Sequence, residues 1–90
     1  MGRKLFTVED TFVIRQRGVV VVPGIAPLGE EKFRIGDPLE LRRPDGTRRQ
    51  TAIAGLEMFH RPEPSAAFPL LLPQDITKED VPIGTEVWSV

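Results

Sequence analysis

The chain has 90 residues, the length of a single small domain. Its content of 40% hydrophobic and 28% charged residues is typical of a folded globular chain and argues against global disorder. It contains no cysteine and one histidine, His60. This composition excludes disulfides, thiolate metal sites and any site that needs two histidines.

The net charge of −1 is distributed unevenly along the chain. Residues 1–61 carry eleven Lys and Arg against eight Asp and Glu, whereas residues 62–90 carry one lysine and five acids. A protein that binds nucleic acid through its overall charge would be strongly basic, so we expect a local basic face at most. The chain has no apolar stretch long enough for a transmembrane helix and no apolar leader, which predicts a cytoplasmic protein.

The first part of the chain predicts two strands joined by a tight turn. Apolar and polar residues alternate in residues 5–16, which predicts a half-buried strand with a bend at Glu9-Asp10. The apolar face of this strand consists of Phe6, Val8, Phe12 and Ile14. Arg17-Gly18 suits the turn, and the valines of residues 19–22 predict the second strand. Pro23-Gly24 predicts a bend or bulge at a sheet edge.

The middle of the chain predicts a loop followed by a hairpin. Residues 25–37 contain prolines and glycines and are expected to form a connecting loop. Residues 38–42 alternate apolar and charged side chains, and the Pro-Asp-Gly-Thr sequence of residues 44–47 is typical of a hairpin turn. A long strand is expected over Arg49–Phe59, with a bulge at Gly55. Its inward-facing residues are expected to be Thr51, Ile53, Leu56 and Met58.

The last third predicts two further strands. A proline-containing loop over residues 61–65 precedes an apolar run, residues 66–72, which we interpret as a buried strand. Residues 77–80 suit a single helical turn, and residues 85–90 predict a final strand with Val87 inward. Six or seven short strands without a long helix favour an all-β fold, a small closed antiparallel β-barrel, since closure leaves no long free edge.

Few residues suggest catalysis. The sequence lacks a P-loop and a G-x-S-x-G motif. Glu9 and Asp10 are adjacent on a predicted strand and should point to opposite faces, so they are a poor acid/base pair. His60 is interpreted as a surface histidine rather than a general base or an RNA contact. We therefore expect no enzyme activity, no metal and no cofactor.

The arginines allow two interpretations. Arg42, Arg43, Arg48 and Arg49 flank the predicted hairpin turn, which would bring four guanidinium groups to one tip. This tip is either a solvated surface or a set of phosphate contacts, since the arginine fork matches phosphate geometry. Arg15 and Arg17 form a second basic pair at alternate positions and hence on one face. Trp88 is interpreted as a packing residue rather than a base-stacking platform.

Four segments of the chain form a recognisable set of motifs. The first is Phe-Thr-Val-Glu-Asp-Thr-Phe-Val-Ile at residues 6–14, followed by Arg-Gly-Val-Val-Val-Val at 17–22. The others are Ile-Gly-Asp-Pro-Leu-Glu-Leu at 35–41, Gly-Leu-Glu-Met-Phe at 55–59 and a closing segment over residues 70–84. Together they resemble the second domain of elongation factor Tu and related translational GTPases. Residues 35–41 resemble that family's entry into its third strand, residues 55–59 are the most specific match, and the resemblance covers nearly the whole chain.

This resemblance implies a closed antiparallel barrel that, in elongation factor Tu, helps to hold the amino acid and terminal adenosine of aminoacyl-tRNA. The ligand-binding residues that it implies are Glu9, Asp10, Phe12, Arg17 and Glu57. Phe12 would offer an apolar face, Arg17 a phosphate or ribose contact, and Glu57 an acceptor for a sugar hydroxyl. On the alternative interpretation, Phe12 belongs to the core and Glu57 is solvated.

The sequence departs from the family at three places. Gln16 stands where the family usually has glycine, and His60 replaces a basic residue. Residues 67–75 lack the family's asparagine, arginine and two glycines. These 90 residues also contain no GTPase domain, so we expect that this chain alone does not bind GTP. The barrel is expected to be either free-standing or a piece of a longer protein.

The expected function is therefore that of a non-catalytic binding module. Its partner would be a tRNA 3′ end, a ribosomal component or a protein met through the basic residues. The alternative is a protein-interaction or structural barrel that has lost tRNA binding.

Overall fold

The structure is a computed structural model that describes residues 2–57 and 67–90. Its strands pair in antiparallel fashion in two sheets. The strands are β1 Lys4–Thr7, β2 Asp10–Ile14, β3 Gly18–Ile25, β4 Pro38–Arg42, β5 Arg48–Ala52, β6 Gly55–Leu56, β7 Phe68–Leu71 and β8 Glu86–Ser89. Sheet A has the order β1-β8-β4-β5, and sheet B has the order β2-β3-β7-β6. A single 3₁₀ turn, Lys78–Asp80, precedes β8. Within the described ranges, no helix has the length and apolar character needed to cross a bilayer.

The all-β prediction is confirmed, but two of its details are wrong. The described residues contain eight strands rather than six or seven. Over the same residues, the strands pair as two four-stranded sheets rather than as one continuous closed ladder. Both differences have one cause, since the chain passes from one sheet to the other where the sequence predicts a single continuous strand.

The first of these crossings lies between β1 and β2. The Val8 amide donates a hydrogen bond to the Thr85 carbonyl beside β8 in sheet A, at 2.8 Å. The amide of the next residue, Glu9, donates to the Val22 carbonyl in sheet B, also at 2.8 Å. The predicted bend at Glu9-Asp10 is therefore the corner between the sheets.

This corner changes which face of the strand is buried. Phe6 is only 8% exposed and belongs to the core, whereas Phe12 is 52% exposed. Thr11, which the alternation predicts to face outward, is buried. The prediction of one apolar face running from Phe6 to Ile14 is wrong, because β1 and β2 belong to different sheets and turn different faces to the core.

The second crossing divides the strand predicted over Arg49–Phe59. The Ile53 amide donates to the Asp37 carbonyl before β4, and the Ala54 amide donates to the Leu71 carbonyl of β7, both at 3.0 Å. The predicted inward position of Ile53 is confirmed, since it is buried. Met58 and Phe59 lie outside the described residues.

The core lies between the two sheets and draws on both. Its buried residues are Phe6, Val8, Val19, Val21, Ile25, Leu39, Leu41, Ile53, Leu70, Leu72, Ile76, Val81 and Val87. The alternation in β4, where Leu39 and Leu41 are buried and Glu40 is not, follows the period of two expected of a half-buried strand. The predicted inward position of Val87 is also confirmed.

The bulge predicted at Pro23-Gly24 is present, although not at a sheet edge. The register of β3 against β7 shifts between Val21 and Ile25, and β3 is an inner strand of sheet B. Gly24 has φ +108°, and a Cβ there would lie 2.0 Å from the Phe68 carbonyl oxygen. Only glycine permits this close approach of β3 to β7.

The predicted hairpin and helical turn are confirmed. β4 and β5 pair in continuous register, and the Arg43 amide donates to the Thr47 carbonyl at 2.8 Å to close the turn. Hydrogen bonds from the Thr47 hydroxyl and amide lower the pKa of Asp45. In the 3₁₀ turn, the Asp80 carboxylate accepts a hydrogen bond from the Thr77 amide at 2.9 Å, as in a capping box.

Candidate functional site

A cleft of about 350 Å³ lies on the face of sheet B that points away from the core. Its lining consists of Phe12, Ile14, Arg17, Val20, Val22, Glu57 and Pro69. Phe12 and Ile14 alternate along β2, and Phe12 lies directly opposite Val20 on β3. Side chains at such positions share one face of a sheet. We call this the β2 cleft.

Phe12 forms an exposed apolar wall of the β2 cleft. Its side chain is 52% exposed, whereas Val20 below it is 4% exposed. A large aromatic side chain that is half exposed beside an apolar floor presents a surface for a planar or apolar group. The interpretation of Phe12 as a core residue is therefore wrong.

Arg17 and Glu57 form the polar rim of the β2 cleft. One Arg17 Nη atom donates to Glu57 Oε1 at 3.3 Å, and the two side chains are 57% and 19% exposed. The Glu57 amide donates to the Pro69 carbonyl at 2.9 Å, which fixes the backbone of Glu57 against β7. Glu57 is thus mostly covered and paired, not freely solvated.

The turn before β3 sets the position of Arg17. The Arg17 amide donates to the Ile14 carbonyl at 3.0 Å, and Gln16 takes the left-handed conformation with φ +68°. Glycine adopts this conformation without steric cost, so Gln16 is a less favourable residue for this position than glycine. The Gln74 side-chain amide donates to the Gln16 carbonyl and ties the turn to the segment after β7.

The two acids that precede Phe12 do not line the cleft. Asp10 begins β2 and lies opposite Val22, and its carboxylate accepts a hydrogen bond from the Thr11 amide at 2.8 Å. Glu9 is exposed at the corner between the sheets. Of the five residues implied by the resemblance, the structure brings Phe12, Arg17 and Glu57 together around one cleft.

Arg42 and Arg48 both turn toward Glu40 on the outer face of sheet A. Arg42 Nε lies 2.6 Å from Glu40 Oε1, and Arg48 Nη1 lies 3.7 Å from the same oxygen. The hydrogen bond from Arg42 is the main cause of the lowered pKa of Glu40. The Arg42 guanidinium also lies 3.8 Å from the centre of the Trp88 ring, so Trp88 is a packing residue as predicted.

Arg43 and Arg49 turn the other way, toward the segment that precedes β8. Arg43 Nε donates to the Asp80 carbonyl at 2.7 Å and approaches its carboxylate at 3.5 Å. Arg49 lies 3.3 Å from the Asp75 carboxylate. The expectation that four guanidinium groups meet at one tip is wrong, because adjacent residues of a strand point to opposite faces. Each of the four contacts a carboxylate of this chain.

Arg15 and Arg17 lie in the turn between β2 and β3 rather than on a strand, so the predicted strand alternation does not apply to them. Both line a second cleft of about 590 Å³ at the β2–β3 turn, together with Gln74 and Lys78. This cleft shares Ile14 and Arg17 with the β2 cleft. Positive charge is therefore placed at one end of the β2 cleft.

Sequence reasoning did not identify the apolar part of the lining. Ile14, Val20, Val22 and Pro69 complete the β2 cleft. The period of two places Val20 and Val22 on one face of β3, but a run of four valines gives no indication of which face is buried. The exposed position of Phe12 depends on the corner at Val8-Glu9.

The described part of the chain gathers no group of metal-binding side chains. Among residues 2–57 and 67–90, no three His, Asp or Glu side chains gather closely enough to hold a metal ion. His60 lies outside these ranges. Comparison with models of protein families, with curated proteins and with solved structures finds no match to this chain. The geometry of the site therefore carries the functional argument.

Proposed function

We propose that this chain is a non-catalytic binding module, resembling the second domain of elongation factor Tu, that holds the 3′ end of an RNA in the β2 cleft. The observation that carries the proposal is the convergence of Phe12, Arg17 and Glu57. Glu57 is 40 residues from Arg17 in sequence, yet the two side chains are in contact beside Phe12.

Each of these residues matches one part of a terminal nucleotide. A base or an aminoacyl side chain would pack against the exposed ring of Phe12, as single-stranded bases do on aromatic side chains. Arg17 would donate to a phosphate oxygen, and Glu57 would accept a hydrogen bond from a ribose hydroxyl. The cationic Arg15 beside Arg17 extends this surface toward the preceding phosphates.

The Arg17–Glu57 ion pair does not block this function. The pair joins one nitrogen to one oxygen at 3.3 Å, and Arg17 is mostly exposed. Exposed ion pairs of this kind contribute little to stability, so a ligand can replace either contact at small cost. In the free protein the pair holds both side chains at the rim of the cleft.

The lining of the β2 cleft favours binding over catalysis. Its described lining residues include one carboxylate and one guanidinium but no serine, lysine or histidine. A hydrolytic or transfer reaction would need a nucleophile within reach of a base. GTP is not expected to bind, since the 90 residues contain no P-loop.

An NMR titration with an aminoacylated mimic of the tRNA 3′ end tests the proposal. Backbone amides near Phe12, Arg17 and Glu57 should shift, and Phe12→Ala should weaken binding by roughly tenfold, since stacking of one base is worth about 1–3 kcal/mol. Ile83→Ala is the matched control, because Ile83 is an exposed apolar residue that lines none of the three clefts. Unshifted amides at these positions at millimolar ligand would disprove RNA binding.

A second candidate is a protein-interaction barrel. The observation in its favour is that Arg42, Arg43, Arg48 and Arg49 all contact carboxylates of this chain, which leaves the hairpin poorly suited to phosphate. The exposed ring of Phe12 would then act as an aromatic anchor for a protein. Copurification from the native cells at low and high salt separates the two candidates, because RNA contacts weaken steeply with salt.

A further inference from the structure

A third cleft, of about 410 Å³, lies between one end of sheet B and the loop of residues 26–37. Its apolar residues are Ile25, Pro27, Phe33, Leu56 and Phe68, and its charged residues are Glu31, Lys32 and Arg34. Ile25 is completely buried, and Phe33 and Leu56 pack against the core. The cleft therefore has an apolar floor that is continuous with the hydrophobic core. We call it the core-end cleft.

The core-end cleft is separate from the β2 cleft. Leu56 lines the core-end cleft and the next residue, Glu57, lines the β2 cleft. The same alternation holds for Phe68 and Pro69. Because consecutive residues of a strand point to opposite faces, the two clefts lie on opposite sides of sheet B.

The single carboxylate in the core-end cleft is already engaged. Arg3 donates to both oxygens of Glu31, at 2.9 and 2.6 Å, and the Leu28 amide donates at 2.8 Å. These bonds, chiefly those from Arg3, lower the pKa of Glu31 to about 2. The Glu31 carboxylate is thus ionised and its charge is balanced by a cation of the same chain.

The two cations of the core-end cleft have no such partner. Within the described residues, the side chains of Lys32 and Arg34 form neither an ion pair nor a hydrogen bond. Both side chains lie at exposed positions in the loop that edges the cleft. The cleft therefore combines an apolar floor with a positively charged edge.

We propose that the core-end cleft binds a small organic acid, with an apolar aromatic or aliphatic body and one anionic head group. The body would lie on Ile25, Leu56 and Phe68, and the head group would contact Lys32 and Arg34. The volume falls within the usual 300–1,000 Å³ of small-molecule sites, which often occur where a β-fold opens at one end. This inference does not depend on the function proposed for the β2 cleft.

Two fluorescent probes of similar shape test the charge preference. 8-Anilinonaphthalene-1-sulfonate carries an anionic group on an apolar body, and N-phenyl-1-naphthylamine lacks the charge. We expect the double variant K32Q/R34Q to bind the sulfonate roughly three- to tenfold more weakly, as two exposed ion pairs would predict, and to bind the neutral probe unchanged. The matched control R15Q/K78Q removes two cations at the β2–β3 turn and should leave both affinities unchanged.

The position of the bound sulfonate is tested by NMR on the folded protein. Amides of Phe33, Leu56 and Phe68 should shift, and Phe12→Ala should not change the affinity. Shifts confined to the β2 cleft would overturn the proposal, as would equal losses in K32Q/R34Q and R15Q/K78Q. Phe12 lines the β2 cleft but not the core-end cleft, so Phe12→Ala should weaken RNA binding and leave the affinity for the sulfonate unchanged. Failure here and failure of the proposed function are therefore distinguishable.

Discussion

Phe6 and Phe12 offer a direct test of the corner between the two sheets. They are the same residue type, six positions apart in one stretch that alternates apolar and polar residues. In the structure, Phe6 is 8% exposed and Phe12 is 52% exposed, because the chain changes sheets at Val8-Glu9. Replacing each by alanine in turn should therefore have clearly unequal effects on the free energy of unfolding.

The magnitudes follow from burial. Truncating a core phenylalanine removes its buried area and leaves a cavity, which costs about 3–5 kcal/mol, and Phe6→Ala should fall in this range. Only about half of the Phe12 side chain is buried and its removal leaves no enclosed cavity, so Phe12→Ala should cost about 1–1.5 kcal/mol, half of the value for a fully buried phenylalanine. The difference between the variants is thus about 2 kcal/mol or more.

Urea unfolding of both variants at neutral pH, followed by tryptophan fluorescence from Trp88, measures this difference. For a domain of this size, 1 kcal/mol corresponds to a shift in Tm of about 4–8 °C, so thermal unfolding gives an independent check. The slope of the free energy against urea should stay constant, since neither change alters the extent of the fold. Equal losses for Phe6→Ala and Phe12→Ala would refute the corner and restore a single apolar face.

Three further changes test local features of the fold. Gln16→Gly should raise the free energy of unfolding by up to about 1 kcal/mol in thermal melts, because glycine relieves the left-handed strain while losing more chain entropy. Gly46→Ala should lower the free energy of unfolding by about 1–2 kcal/mol, because Gly46 has a positive φ. Gly24→Ala should lower it far more, because Gly24 also has a positive φ and its added Cβ would lie 2.0 Å from a backbone oxygen. The folded-state pKa of Glu31 lies at about 2, below its ordinary 4.5, so its contribution to stability is present above about pH 4.5 and is lost as the pH falls toward 2. Glu31→Gln should therefore flatten the acid side of the stability profile, and an unchanged profile would contradict the role of this carboxylate.

Local patterns were sufficient to predict most of the strands. The alternation in residues 38–42 and the Pro-Asp-Gly-Thr turn predict the β4–β5 hairpin, and Gly46 takes the positive φ that such a turn needs. The bend at Glu9-Asp10 was predicted, but the change of sheet was not, because no local pattern shows that the hydrogen-bond partner switches from Thr85 to Val22. The carbonyl that each amide at a corner bonds to lies far away in the sequence, so the local pattern does not identify it.

The candidate site shows the same division between local and distant information. The turn at Arg17-Gly18 was predicted from its own residues, and the structure has a turn over residues 15–17. The contact between Arg17 and Glu57 was not predicted, since it joins residues 40 positions apart. The positions of two hairpin arginines also depend on distant residues. Arg43 contacts Asp80, 37 residues later in the sequence, and Arg49 contacts Asp75, 26 residues later.

The face of sheet B that points away from the core is the strongest physical argument for a binding function. An antiparallel sheet with one face on the core usually carries polar side chains on the other. Here the outward face carries Phe12, Val20 and Leu71, and the last two are only 4% and 6% exposed. Water does not favour the half-exposed ring of Phe12 above this apolar floor, whereas a ligand that covers Phe12 would remove the ring from water.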